Sequence, residues 1–117
     1  MAKRKKMEPD FSTRVKTVDG AIVIYVSGEI DLTTCERLRD VIEPHLGPEQ
    51  RIVLDLAGVR FMDSSMVNVL VHARGELTKD RGSLVLRNPS EFARRILDVT
   101  DLKDMLEEDA REHDESN

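Results

Sequence analysis

Apolar and polar side chains alternate along Phe11-Ser12-Thr13-Arg14-Val15-Lys16-Thr17-Val18, and Asp19-Gly20 then supplies the chemistry of a tight hairpin turn. The second strand, residues 21–26, is continuously apolar and β-branched through Ile22-Val23-Ile24-Tyr25-Val26, the pattern of an inner strand covered on both faces. That makes the first strand an edge. Ser27-Gly28-Glu29-Ile30-Asp31 leads out of it, and Thr33-Thr34-Cys35-Glu36 offers a threonine cap with an acidic residue in the first helical turn. Cys35, Leu38, Ile42 and Leu46, with Val41 beside them, form an inward stripe, and Pro44 ends or kinks this helix near Glu43. Residues 51–56 read as a third strand, followed by a short connection to Met62. A helix after Asp63, running to about Lys79, then turns Val67, Leu70, Val71 and Leu77 inward. Ser83-Leu84-Val85-Leu86-Arg87 is a fourth strand, and Asn88-Pro89-Ser90 a turn and cap. Residues 91–99 are a helix burying Phe92, Ile96 and Val99, and residues 102–106 are a last turn packing back.

The order ββαβαβα predicts an α/β fold: a mixed four-stranded sheet with an N-terminal antiparallel edge hairpin, then crossovers between parallel strands with helices packed on it. Loops that follow the parallel strands gather at one end of such a sheet. This expectation brings residues 28–31, 63–65 and 88–90 together.

Composition narrows the function classes. The 117 residues suit one small domain with an aliphatic core, since the chain holds three Phe, one Tyr and no Trp. No apolar stretch approaches the roughly 20 residues of a membrane span, and the N-terminal residues lack the apolar run of a secretory signal, so a soluble, cytoplasmic protein without a membrane partner is expected. The charge of −5 sits mostly at the ends. Residues 1–10 carry four basic and two acidic side chains and residues 107–117 one basic and six acidic, leaving −2 between them. Both ends read as disordered arms flanking a domain of residues 11–106. A nucleic-acid partner would favour a basic face interleaved with aromatics, and Lys3 to Lys6 alone do not supply one.

Catalytic chemistry finds little support. His45, His72 and His113 are scattered, the glycines form no phosphate-cradling run, and the single Cys35 is most simply core. Asp31 and Asp63 are the acidic residues expected to approach each other, which is thin support for a metal. No cofactor is expected. Chemistry concentrates instead at Asp63-Ser64-Ser65, where an apolar strand gives way to a helix. Asp and Ser are the best helix caps, and a serine at a helix start is also well placed to carry a phosphate. Motif and placement do not separate the two uses.

Three stretches carry a family resemblance: Val26-Ser27-Gly28-Glu29-Ile30-Asp31, Ile52-Val53-Leu54-Asp55-Leu56-Ala57-Gly58-Val59-Arg60-Phe61-Met62-Asp63-Ser64-Ser65, and Arg94-Arg95-Ile96-Leu97-Asp98-Val99-Thr100. Together they resemble the anti-sigma factor antagonists, the single-domain branch of the STAS fold. The resemblance implies a non-enzymatic protein that binds an anti-sigma factor, commonly a serine kinase, and so frees a sigma factor. It implies phosphorylation at Ser64, the first serine after the motif aspartate, reversed by a serine phosphatase. It also implies a partner surface drawn from Gly28, Glu29, Asp31, Asp63, Ser64, Ser65, Met66 and Asn68. The family usually has glycine where this chain has Met66, and again where it has Asp101. A long side chain at Met66 is therefore expected to stand in the docking surface, narrowing partner choice or slowing phosphorylation. The alternative is an unphosphorylated interaction or scaffold module of the same fold, in a signalling or lipid-transport complex. A small enzyme or nucleotide-binding domain ranks below both.

Overall fold

Asp19 and Gly20, at φ 49° and 82°, close a two-residue turn between β1 (Phe11–Val18) and β2 (Ala21–Ile30), which pair antiparallel from Val18↔Ala21 to Phe11↔Gly28. β3 (Arg51–Met62) runs parallel to β2 and β4 (Ser83–Arg87) parallel to β3, giving one sheet in the order β1-β2-β3-β4. Between them lie α1 (Thr34–Ile42), α2 (Ser65–Lys79) and, after β4, α3 (Glu91–Val99), with short 3-10 turns at Glu43–His45 and Lys103–Met105. This is the mixed ββαβαβα arrangement expected from the periodicities. The computed structural model describes residues 11–106; the basic arm and the acidic tail assigned from sequence lie outside the described residues.

The crossovers step in one direction across the sheet, so their right-handed rule puts α1 and α2 on the same face. That face presents Ile22, Ile24 and Val26 of β2, Ile52, Leu54 and Leu56 of β3, and Leu84 and Leu86 of β4. Most of these join Cys35, Leu38 and Ile42 of α1, Leu70 and Leu77 of α2, and Ala93 and Leu97 of α3 in one core cluster. Leu102, Met105 and Leu106 close its end, and Leu106 pairs in parallel with Leu86 along the outer edge of β4.

Both inner strands outrun their sequence-based limits. β2 continues past Val26 to Ile30 and β3 past Leu56 to Met62. Two bulges make this possible. While β2 goes from Tyr25 to Ser27, β3 advances from Asp55 to Gly58; while β2 goes from Gly28 to Glu29, β3 advances from Val59 to Phe61. Each inserts one extra residue in β3 and breaks the alternation by which a strand is recognised. Gly28 sits at φ +100° beside the second bulge, a conformation that a side chain would strain.

Two helical faces also differ from expectation. α2 buries Met66, Val69, Leu70, Ala73 and Leu77, while Val67 is half-buried and Val71 is 47% exposed. α3 buries Ala93 and Leu97, with Ile96 half-buried, while Phe92 and Val99 face outward. In both, apolar side chains off the buried stripe misled the periodicity. Ser90 caps α3 by accepting the Ala93 N–H at 3.0 Å.

Candidate functional site

The long strands β2 and β3 end level with each other, Ile30 opposite Met62, and the Asp63 N–H donates to the Ile30 carbonyl at 3.1 Å. The starts of α1 and α2 therefore emerge side by side. β4 stops much earlier, Arg87 pairing with Asp55, so residues 88–90 lie seven β3 residues short of Met62, about 20 Å of strand. The expected gathering of all three loops is thus corrected: only the first two meet. Asn88 instead donates to Asp55 at 3.1 Å, where Arg87 also donates at 3.1 Å and the Ala57 N–H at 3.0 Å. Asp55 is a structural clamp on the first bulge.

At the head of α1 the cap is Asp31 rather than a threonine. Its Oδ1 accepts the N–H groups of Thr33 and Thr34, both at 3.0 Å, and the Thr34 hydroxyl accepts the Asp31 N–H at 2.9 Å while donating to the Glu29 carbonyl at 2.8 Å. This reciprocal pairing satisfies donors that the helix start leaves open. The Thr34 N–H, above all, holds the Asp31 carboxyl below its ordinary range.

At the head of α2 the same division of labour appears. Asp63 Oδ1 accepts the Ser65 N–H at 2.9 Å and also the Ser65 hydroxyl. Ser64, between them, is exposed and its side chain makes no capping hydrogen bond. The capping bonds of this junction therefore belong to Asp63 and not to Ser64. Asp63 caps, Ser65 is tied to it, and Ser64 presents its hydroxyl at the electropositive start of a 15-residue helix.

Around Ser64 the other sequence-derived candidates separate by burial. Asn68 is exposed on α2 one turn beyond Ser64, and Glu29 reaches Arg60 of β3 at 3.6 Å on the surface. Asp31, Asp63 and Ser65 are half-buried, and Gly28 is buried within the sheet. Met66 contradicts its expected place. Its side chain is 0% exposed within the core cluster, so it does not stand in a docking surface. Three residues were missed. Leu32, beside Asp31, is 75% exposed, and Phe61 stacks on Phe92 with ring centroids 5.3 Å apart, both partly in water. Leu32 was legible as an apolar residue among polar loop neighbours. Phe61 was hidden inside what read as a connection. Among the described residues no group of three His, Cys, Asp or Glu is placed to hold a metal ion, and no helix is long and apolar enough to cross a membrane.

Comparison with known proteins decides the family. The sequence matches the family described as Mlab, STAS domain, over residues 13–107. It is 33% identical to the anti-sigma-B factor antagonist of Bacillus subtilis (strain 168) over 97 residues, which is 83% of this chain and 89% of that protein. The chain belongs to the STAS domain family of anti-sigma factor antagonists. Among solved structures, the STAS domain described above is similar to the anti-sigma factor antagonist SpoIIAA in its unphosphorylated form, with a TM-score of 0.73, 26% identity, and coverage of 91% of this chain and 98% of that one. It is also similar to SpoIIAA of Bacillus in the phosphorylated form, with a TM-score of 0.67, 27% identity, and coverage of 87% and 98%. As a STAS domain protein of this kind, the chain is a regulatory binding protein and not an enzyme.

Proposed function

We propose that this protein binds an anti-sigma factor, itself a serine kinase, and thereby releases a sigma factor in the cytoplasm, and that phosphorylation of Ser64 turns the binding off until a serine phosphatase restores it. The observation that carries the reading is the exposed, uncommitted Ser64 hydroxyl, left over after Asp63 has taken the cap and engaged Ser65. A kinase can reach such a hydroxyl without unwinding α2.

Electrostatics give the direction. A phosphoserine adds about −1.5 to −2 charges at neutral pH. Ser64 adjoins Asp63, whose N–H is bonded to Ile30 next to Asp31, so the phosphate would join an edge that is already acidic. Attraction to the start of α2 returns only about 0.3–1 kcal/mol, and it is available to the free protein as well as to the complex. Like charges juxtaposed in an interface cost several kcal/mol, and about 3 kcal/mol weakens binding roughly a hundredfold. Glu29, Ser64, Asn68 and the exposed Leu32 form the surface on which that cost would fall.

Affinity for the purified anti-sigma factor, measured for wild type, Ser64→Ala and Ser64→Asp, tests the reading together with mass spectrometry after incubation with that kinase and ATP. Retained binding by Ser64→Ala, loss by Ser64→Asp and a phosphate mapped to Ser64 are expected. Equal binding by all three with no phosphate at Ser64 would leave an unphosphorylated interaction module in place of a switch.

A further inference from the structure

All three helices have a hydroxyl-bearing residue at the N-cap, Thr33, Ser64 and Ser90, yet only Ser90 uses its hydroxyl to cap. Ser90 has extended backbone, φ −72° and ψ 170°, and accepts the Ala93 N–H at 3.0 Å. That is the backbone from which a serine reaches into the first helical turn. Ser64 has helical backbone instead, φ −69° and ψ −8°, and its side chain makes no capping bond. The two differ in the residue that precedes them. Asp63 brings a carboxylate to the head of α2, whereas Pro89 brings no acceptor side chain to the head of α3.

With Asp63 in place, the first three N–H groups of α2 all have partners. Asp63 Oδ1 takes the Ser65 N–H at 2.9 Å, the Asp63 carbonyl takes the Met66 N–H at 3.2 Å, and the Ser64 carbonyl takes the Val67 N–H at 3.0 Å. These are the donors by which a helix start holds an anion. Two more bonds fix Asp63: the Ser65 hydroxyl donates to the same Oδ1, and the Asp63 N–H donates to the Ile30 carbonyl. The head of α1 repeats the arrangement. Asp31 Oδ1 accepts the Thr33 and Thr34 N–H groups, and the Asp31 carbonyl accepts the Cys35 N–H at 2.8 Å. There the residue after the aspartate is Leu32, the one that stands 75% exposed. In both heads the aspartate takes inner donors and the next side chain is left in water.

Resting on the Ser64 reading above, we propose that Asp63 is the positioning residue of the switch. It denies the head of α2 to whatever Ser64 carries, so that a phosphate there stands out toward the partner instead of folding back onto its own helix. Such a phosphate meets a carboxylate beside it and three N–H groups that are already bonded. The other charged groups of this edge are Asp31 at the head of α1 and Glu29, which is paired with Arg60 at 3.6 Å. The helix start therefore neutralises little of the added charge, and the charge is delivered to the docking edge. A phosphoserine placed as Ser90 is would direct part of its charge into its own cap.

The test uses full-length protein with phosphoserine installed at position 64 during translation. Its result is thus separate from whether a kinase acts on Ser64, which the affinity and mass-spectrometric experiment above decides. Phosphorus NMR follows the second ionisation of the phosphate, and proton–nitrogen correlation spectra follow the Ser65, Met66 and Val67 amides, in wild type, Asp63→Asn and Asp63→Ala. Asparagine keeps the acceptor oxygen and removes the charge; alanine removes both. Wild type should titrate at about 6 or above, the ordinary value or higher beside a carboxylate, with the three amide protons unmoved. Asp63→Asn should titrate lower through loss of the like charge, with the amides still unmoved. Asp63→Ala should fall by about one unit more, tenfold in proton affinity, and its Ser65 amide proton should move downfield as the phosphate ionises. A wild-type phosphate that titrates well below 6 while moving these amides would overturn the proposal, and this arm holds even if the alanine variant folds poorly. Asp63→Asn and a folded Asp63→Ala that titrate together would overturn it as well.

Discussion

Replacing Met66 with alanine separates a core role from a surface role. Met66 is 0% exposed in the first turn of α2 and belongs to the cluster that joins α2 to the sheet. Fully burying a methionine side chain contributes about 1.5–3 kcal/mol, and removing one from a core costs about 2–5 kcal/mol once the unfilled space is included. Against a typical domain stability of about 5–15 kcal/mol this is a large fraction. With an m-value of about 1–3 kcal/mol/M in urea, the unfolding midpoint of Met66→Ala should fall by about 1–3 M with m unchanged. Met66→Leu keeps the volume and should lose less than about 1.5 kcal/mol. Under conditions where both variants are folded, partner affinity and the rate of Ser64 phosphorylation should stay within about twofold of wild type, a difference below about 0.5 kcal/mol. A midpoint that does not move, combined with an affinity change of tenfold or about 1.4 kcal/mol, would refute the burial argument and return Met66 to the interface.

Two further outcomes follow from the caps and clamps. The Asp31 carboxyl is held below its ordinary value of 3.8, chiefly by the Thr34 N–H, so its stabilisation is complete above that value and is lost as pH falls through the lower folded-state value. Asp31→Asn keeps a capping oxygen without the charge, so it should be less stable than wild type near pH 7 and converge with it below about pH 4, giving a flatter acid limb in titrations followed by circular dichroism; an unchanged acid limb would contradict this. Asp55→Ala removes the acceptor shared by Arg87, Asn88 and the Ala57 N–H at a 6% exposed position, and should cost about 2–4 kcal/mol in urea unfolding, with hydrogen exchange at Ala57 accelerated. Unchanged exchange there would show that the first bulge does not depend on Asp55.

Elements were legible in the sequence wherever one signal dominated. The Asp19-Gly20 turn, the unbroken apolar run of β2 and the Pro44 break each placed a boundary that the structure keeps within a few residues. The failures share a cause. Strand ends at Ile30 and Met62 were hidden because bulges shift the side-chain alternation, and the period-two rule assumes that no residue is inserted. The buried face of α2 was ambiguous because Met66, Val67, Val69, Leu70 and Val71 offer an apolar residue at nearly every angle, and periodicity without a fixed phase cannot choose among them. In α3 the larger Phe92 and Val99 drew the reading away from Ala93, which is the residue buried in the core cluster. Ser64 was legible as a candidate from its place at a strand-to-helix junction. Its freedom was not, because it depends on Asp63 choosing Ser65 as its partner.

The two edges of the sheet bear on how such a protein meets others without polymerising. β4 is five residues long, and Leu106 occupies its outer side at Leu86. β1 offers the other edge but carries Arg14 and Lys16, charges that an added strand would have to desolvate. Strand addition, a common route to both peptide capture and fibre growth, is therefore disfavoured at both ends. On the function proposed above, recognition falls to side chains at the strand termini, where one added phosphate would be a large fraction of a footprint of only a few residues.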